Sequence, residues 1–101
     1  MMMAYHSGPP SRELSEETVG AVRAALAQFV IDGGETGELR DALFRMAREA
    51  RSKEMLPERL LVILKDVWHA LPDVRHAADP REKARLLQRL VTLSIKEYYN
   101  G

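Results

Sequence analysis

The sequence predicts an all-α protein, a single small bundle of about four helices with a flexible N-terminal arm. Apolar residues recur at three- and four-residue steps over most of the chain, and no useful stretch alternates with a period of two. The 101 residues suffice for one hydrophobic core and are too few for two. We therefore expect an arm at residues 1–14 and a helical bundle domain at residues 15–101.

The arm is predicted from residues that interrupt helices. Turn-forming residues follow one another at Ser7, Gly8, Pro9, Pro10 and Ser11. The arm has no apolar run long enough for the core of a signal peptide, and its basic residue Arg12 comes late. The expected compartment is therefore the cytoplasm.

The first helix is predicted to begin at Ser15, a favourable N-cap residue followed by two glutamates in the first turn. An apolar stripe at helical spacing comprises Val19, Val22, Leu26, Phe29 and Val30. Alanines cover much of the remaining surface and would let another helix approach closely. Gly33 and Gly34 are expected to end the helix, because glycine adopts the left-handed conformation that many helix ends require.

The second helix is predicted from Thr36 to about Lys53. Its inner face comprises Leu39, Leu43, Met46, Ala47 and Ala50, with Phe44 on the border. Four arginines lie mostly outside this face: Arg40, Arg45, Arg48 and Arg51. The helix dipole favours positive charge near the C-terminus, which accounts for the later ones without any function.

The third helix is predicted from Pro57 to about Leu71, since proline is tolerated at the first helical position. Residues 60–64 are all apolar and cover the whole circumference of the helix, and Val67 and Trp68 continue the apolar face. A helix that is apolar all round requires cover on every side. We therefore expect this helix to be central in the bundle or to be covered by a second copy of the chain.

The fourth long helix is predicted from Asp79 to about Tyr99, after a connection at residues 74–78 that contains a short turn. Asp79, Pro80 and Glu82 follow one another in the order of a capping box. The predicted inner positions are Leu86, Leu87, Leu90, Val91, Leu93, Ile95 and Tyr98. This face is broad, so it should contact at least two helices.

These two apolar helices favour a noncatalytic protein interaction or regulatory module, homodimeric through helices three and four. Their apolar surface exceeds what a bundle of this size buries, and exposed apolar surface tends to be an interface. The interface candidates are Leu61, Leu64, Trp68, Tyr98 and Tyr99. Of these, Trp68 is favoured for the core and Tyr99 for the edge of an interface.

Charge supplies an alternative function. The net charge is zero, with two basic and five acidic residues in positions 1–35 but five basic and three acidic ones in positions 79–101. The basic start of the last helix is opposed by the helix dipole, so we expect an acidic surface opposite it, such as the first helix of the same or another chain. The alternative is a small nucleic-acid-binding regulator that uses Arg40, Arg45, Arg48 and Arg51 or the cations of the last helix.

Sites for catalysis are not evident. The chain has no cysteine, so it has no disulfide or thiolate chemistry, and it lacks a nucleophile elbow and a phosphate-binding loop. His69 and His76 flank Pro72 without a recognised ligand spacing, and no lysine follows His69 as in a histidine phosphotransfer domain. Metal binding and phosphotransfer are thus weaker alternatives. We expect no enzyme, cofactor, metal site or membrane span.

Overall fold

The computed structural model describes residues 13–100, and in this range the chain forms helices and no strand. The helices are α1 (Glu16–Asp32), α2 (Gly37–Ser52), α3 (Pro57–Ala70), α4 (Pro72–Arg75) and α5 (Pro80–Asn100). Four of them are long, which confirms the predicted all-α bundle of about four helices. Most of the predicted arm lies outside the described residues, but its last residue, Leu14, is buried in the core.

Capping side chains define most of the helix ends. Ser15, Thr36 and Asp79 each accept a hydrogen bond from a backbone N–H two or three residues later, at 3.1–3.2 Å. Gly33 ends α1 in the left-handed conformation, with a φ of 71°. These four ends lie where the sequence predicts them, because a cap depends on neighbouring residues alone.

Helix α2 lies between α1 and α5, and it packs extensively on both. Helix α3 packs against α5 and makes smaller contacts with α1 and α2, while α4 lies against α3 and α1. The fully buried large apolar side chains are Leu26, Phe29, Leu39, Leu43, Met46, Leu60, Leu64, Trp68 and Leu90. The rings of Phe29 and Trp68 lie 6.3 Å apart between centroids, so α1 and α3 meet in the same core.

Within one chain the apolar run of α3 is not covered on every side, which contradicts a central position of this helix and does not bear on cover by a second copy. Leu60 and Leu64 are fully buried, whereas Leu61 and Ile63 are half-buried and flank the core. Val62 is 46% exposed. Its helical neighbours three and four positions away are all charged: Glu58, Arg59, Lys65 and Asp66. Helix α3 is therefore an ordinary amphipathic helix with one exposed valine.

Helix α5 buries less of its surface than its pattern predicts. Of the seven predicted inner residues, Leu86 and Leu90 are buried and the other five are half-buried. Ser94, which the apolar pattern passes over, is fully buried. Helix α5 lies at the side of the bundle against α2 and α3, so its broad apolar face is only partly covered.

The predicted contact of acidic α1 with basic α5 is limited to one end of the two helices, where Asp32 and the α5 cations Lys83, Arg85 and Arg89 line one groove. Helix α5 packs mainly along α2 and α3. Its ionic link to the first third of the chain is at one end, where the Arg89 guanidinium lies 3.1 Å from Glu35 and 5.9 Å from the ring centroid of Phe29. Glu16 and Glu17 in the first turn of α1 are exposed.

The connection between α3 and α5 contains the short helix α4, which starts slightly before the predicted turn. Pro72 ends α3 because it has no N–H to donate, and the same residue is the first of α4. The backbone N–H of His76 donates to the Pro72 carbonyl at 2.9 Å and closes this single turn.

Candidate interaction surface

One side of α2 faces solvent between the contacts of this helix with α1 and α5. The exposed residues on it are Glu38, Asp41, Phe44, Arg45, Arg48 and Arg51, and we call them the α2 face. Phe44 lies at the middle of the helix, and 45% of its surface is exposed. Aromatic residues are enriched at protein interfaces relative to the rest of the surface.

The charges of the α2 face have no ion-pair partners in the described part of the chain. Among residues 13–100, no oppositely charged group lies within 4.0 Å of Glu38, Asp41, Arg45, Arg48 or Arg51. Asp41 and Arg45 have the helical spacing of a pair but do not form one, whereas Glu49 of α2 and the C-cap residue Lys53 do, at 2.8 Å. The face therefore presents five charges that are available to a partner.

Two of the grooves along the α2 face differ in charge. The first, of about 590 Å³, lies between α1 and α2 beside the N-terminal half of α2. Alanines contribute to its lining, and its charged residues are Asp32, Glu38, Asp41 and Arg45. The second, of about 580 Å³, lies at the end of α2 beside the end of α5 and is lined by Phe44, Arg48, Arg51, Ser52, Glu97 and Asn100. The first groove is mainly acidic and the second mainly basic.

The five interface candidates from the sequence do not form one exposed patch. Leu64 and Trp68 are at most 1% exposed, so they belong to the core of this chain and offer no surface to a partner. Leu61 and Tyr98 are half-buried, and the Tyr98 hydroxyl donates to the Met55 carbonyl at 2.7 Å. Only Tyr99 of the five is largely exposed, at 68%.

The four arginine candidates, in contrast, are all exposed on α2. Arg48 and Arg51 line the same groove, while Arg40 lies on the α5 side of the helix and lines a small cavity with Lys96 and Glu97. The sequence interpretation named these cations as candidates, but it did not include Glu38, Asp41 or Phe44 among the candidate residues. An exposed aromatic at helical spacing from both signs of charge was the available signal.

The two histidines lie on different elements and are both exposed, His69 in the last turn of α3 and His76 at the end of α4. Within the described range, no group of three or more His, Cys, Asp or Glu side chains is placed to hold a metal ion. None of the helices described is long and apolar enough to cross a membrane.

Comparison with known proteins adds no second line of argument. No protein-family model, curated protein or solved structure matches the chain.

Proposed function

We propose that the protein is a noncatalytic interaction module that binds a protein partner through the α2 face. The observation that carries the proposal is an exposed aromatic ring, Phe44, among five charged side chains without ion-pair partners in the described part of the chain. Aromatic residues and arginine are enriched at protein interfaces, where partly exposed rings become buried. The expected compartment remains the cytoplasm.

The mixture of charges favours a protein over a nucleic acid as the partner. A nucleic acid presents phosphates along its whole surface, so it attracts arginines and repels carboxylates. Glu38 and Asp41 lie on the α2 face, and Glu97 lines the groove beside Arg48 and Arg51. A protein surface can offer groups of both signs, and it can cover the ring of Phe44 as well.

The homodimer through helices three and four of the sequence interpretation, here α3 and α5, is the alternative arrangement. The observation that most favoured this homodimer was the apolar run of α3, and in the structure Leu60 and Leu64 of that run are core residues. Val62 and Tyr99 are the large exposed apolar residues that remain on these two helices. Variants of these residues therefore serve as controls for the α2 face.

Affinity capture with the full chain tests the proposal. The bait is the wild-type protein, the Phe44→Ala/Arg48→Glu variant or a control variant with Val62→Ala/Lys65→Glu on the open side of α3, each checked by circular dichroism. After nuclease treatment of a lysate from the source organism, we expect proteins retained by the wild type and the control to be lost with the α2 variant. Identical retention by all three baits would contradict a binding role for the α2 face.

Binding of a nucleic acid is the second candidate, and it is favoured by the row of guanidiniums at Arg45, Arg48 and Arg51, which form no ion pair with residues 13–100. It predicts affinity for duplex or single-stranded probes that falls steeply as salt is raised and is lost on Arg48→Glu. Fluorescence anisotropy at low salt measures this. No binding there would remove the nucleic-acid candidate and leave the protein-binding proposal in place.

A further inference from the structure

Four of the five charges of the α2 face are antisymmetric about the middle of the helix, and the fifth, Arg45, lies next to the midpoint opposite Phe44. Helix α2 spans Gly37–Ser52, so its midpoint falls between Phe44 and Arg45. Asp41 and Arg48 lie at equal distances on either side of this midpoint, and so do Glu38 and Arg51. Each carboxylate in the first half of the face is thus matched by a guanidinium in the second half.

We propose that the α2 face binds a second copy of this chain, with the two α2 helices antiparallel across a two-fold axis at their midpoints. This inference rests on the proposed function of a protein-binding α2 face. A two-fold interface uses the same patch on both copies, so the patch must be complementary to itself. The antisymmetric charges meet this requirement.

The antiparallel orientation follows from the charges. It places Asp41 at the level of Arg48 of the second copy, and Glu38 at the level of Arg51 of the second copy, and symmetry repeats each match. A parallel orientation would place carboxylates against carboxylates and guanidiniums against guanidiniums, which is repulsive. None of these groups has to give up an ion pair within its own described chain in order to pair between copies.

The centre of this interface is apolar and aromatic. Phe44 is 45% exposed and lies next to the axis, so the rings of both copies meet there and lose contact with water. Arg45 also lies beside the axis, where a guanidinium can stack on an aromatic ring. The central ring and the flanking charges together resemble the apolar core and polar rim of protein interfaces.

The groove between α1 and α2 supports the same arrangement. Asp32, Glu38 and Asp41 are the carboxylates among its lining residues, beside the half of α2 over which the arginines of the second copy would lie. Ala21, Ala24, Ala25 and Ala42 also line this groove, and their short side chains let a second helix approach closely. A purely acidic partner would satisfy the arginines but would be repelled by these carboxylates, whereas a second copy matches both halves.

Charge exchange in the full chain tests the proposal. Analytical ultracentrifugation over a concentration series gives the dimerisation constant of the wild type, which should weaken as salt screens the charges. Each of the single variants Asp41→Arg and Arg48→Asp places two like charges opposite each other at both symmetric contacts. Each variant should therefore weaken dimerisation by about tenfold or more. Both residues are exposed, so the variants should keep the wild-type helicity in circular dichroism.

The decisive experiment restores the pairing of opposite charges between positions 41 and 48 of the two copies. The double variant Asp41→Arg/Arg48→Asp should dimerise like the wild type, because it exchanges the two signs. An equimolar mixture of the two single variants should form a heterodimer, because positions 41 and 48 are then both arginine in one chain and both aspartate in the other. Asp66→Arg, which makes the same change of charge on the open side of α3, should leave dimerisation unchanged.

A wild type that stays monomeric throughout the concentration series would overturn the second-copy proposal. So would a dimer that is insensitive to both single variants but is weakened by Val62→Asp or Tyr99→Ser, because that result would assign the interface to α3 and α5. A monomer that still captures another protein through the α2 face would overturn this inference alone and leave the proposed function standing.

Discussion

At the residue scale, two buried hydroxyl groups differ in their surroundings. Thr18 is 1% exposed, and its hydroxyl donates to the Glu49 carboxylate. Ser94 is fully buried in α5, and its hydroxyl has no hydrogen-bond partner among the described residues. Burial of an unpaired polar group costs free energy, so the hydroxyl of Ser94 lowers the stability of the fold.

Ser94→Ala should therefore raise the free energy of unfolding by about 1 kcal/mol. Alanine removes the unpaired hydroxyl, changes the volume little and is a better helix former than serine. Chemical denaturation measures the change. Gln88→Ala on the exposed side of the same helix reports the effect of helix propensity without removing a buried polar group, and a Ser94→Ala protein no more stable than that control would contradict the expectation.

At the scale of the element, α2 ends without the glycine that usually marks such an end. The backbone N–H of Glu54 donates to the Arg51 carbonyl at 3.1 Å, and that of Met55 donates to the Ala50 carbonyl at 2.8 Å. These two bonds form a Schellman motif, which requires a left-handed residue. Glu54 fills this position with a φ of 57°, a conformation that is unfavourable for residues other than glycine.

Glu54→Gly should stabilise the protein by about 1 kcal/mol, because glycine adopts this φ without steric cost. Glu58→Gly, in the first turn of α3, should have the opposite sign, since glycine is disfavoured within a helix of ordinary φ. Thermal unfolding of the two variants compares them directly. A loss of stability in Glu54→Gly would argue against strain at this helix end.

At the scale of the whole molecule, Glu49 joins the start of α1 to the second half of α2. Its carboxylate accepts hydrogen bonds from the Ser15 N–H at 2.6 Å, from the Ser15 hydroxyl at 3.1 Å and from the Thr18 hydroxyl. The Lys53 ammonium donates to it at 2.8 Å. Partial burial by itself would raise the pKa of Glu49, but bonds from Lys53, Thr18 and Ser15 outweigh it and lower the pKa from 4.5 to about 2.

The stability of the fold should accordingly depend on Glu49 in acid. Since the pKa of this carboxyl is lower in the folded chain, its contribution is full above pH 4.5 and is lost as the pH falls towards 2. Glu49→Gln should lower the free energy of unfolding at neutral pH by about 1.5–3 kcal/mol. The free energy of unfolding of this variant should also decline less steeply than that of the wild type between pH 4.5 and pH 2.

Denaturant titrations at several pH values measure this effect. Asp66→Asn, which removes an exposed carboxylate from the open side of α3, is the control. Its free energy of unfolding should depend on pH as steeply as that of the wild type. If the free energy of unfolding of Glu49→Gln depends on pH as steeply as that of the wild type, other carboxyl groups cause the loss of stability in acid.

The sequence by itself determined the helical class, the positions of the long helices and most of their ends. Most of these ends depend on backbone groups within a few residues of the capping residue, so they can be inferred from the order of residues along the chain. The capping residues are Ser15, Thr36, Asp79 and Gly33. Only the tertiary structure decided which apolar and polar groups were covered, because burial depends on helices distant in the chain.

The dependence of burial on distant helices also explains which features of the candidate surface the sequence predicts and which it does not. The exposed arginines of α2 follow from helical periodicity, and so does the outward position of Glu38 and Asp41. Packing of α1 and α5 on either side of α2 decides that this face stays open, and packing of α3 turns Leu64 and Trp68 into core residues. The pairing of Glu49 with Ser15 likewise spans 34 positions, and local sequence contains no signal of such a contact.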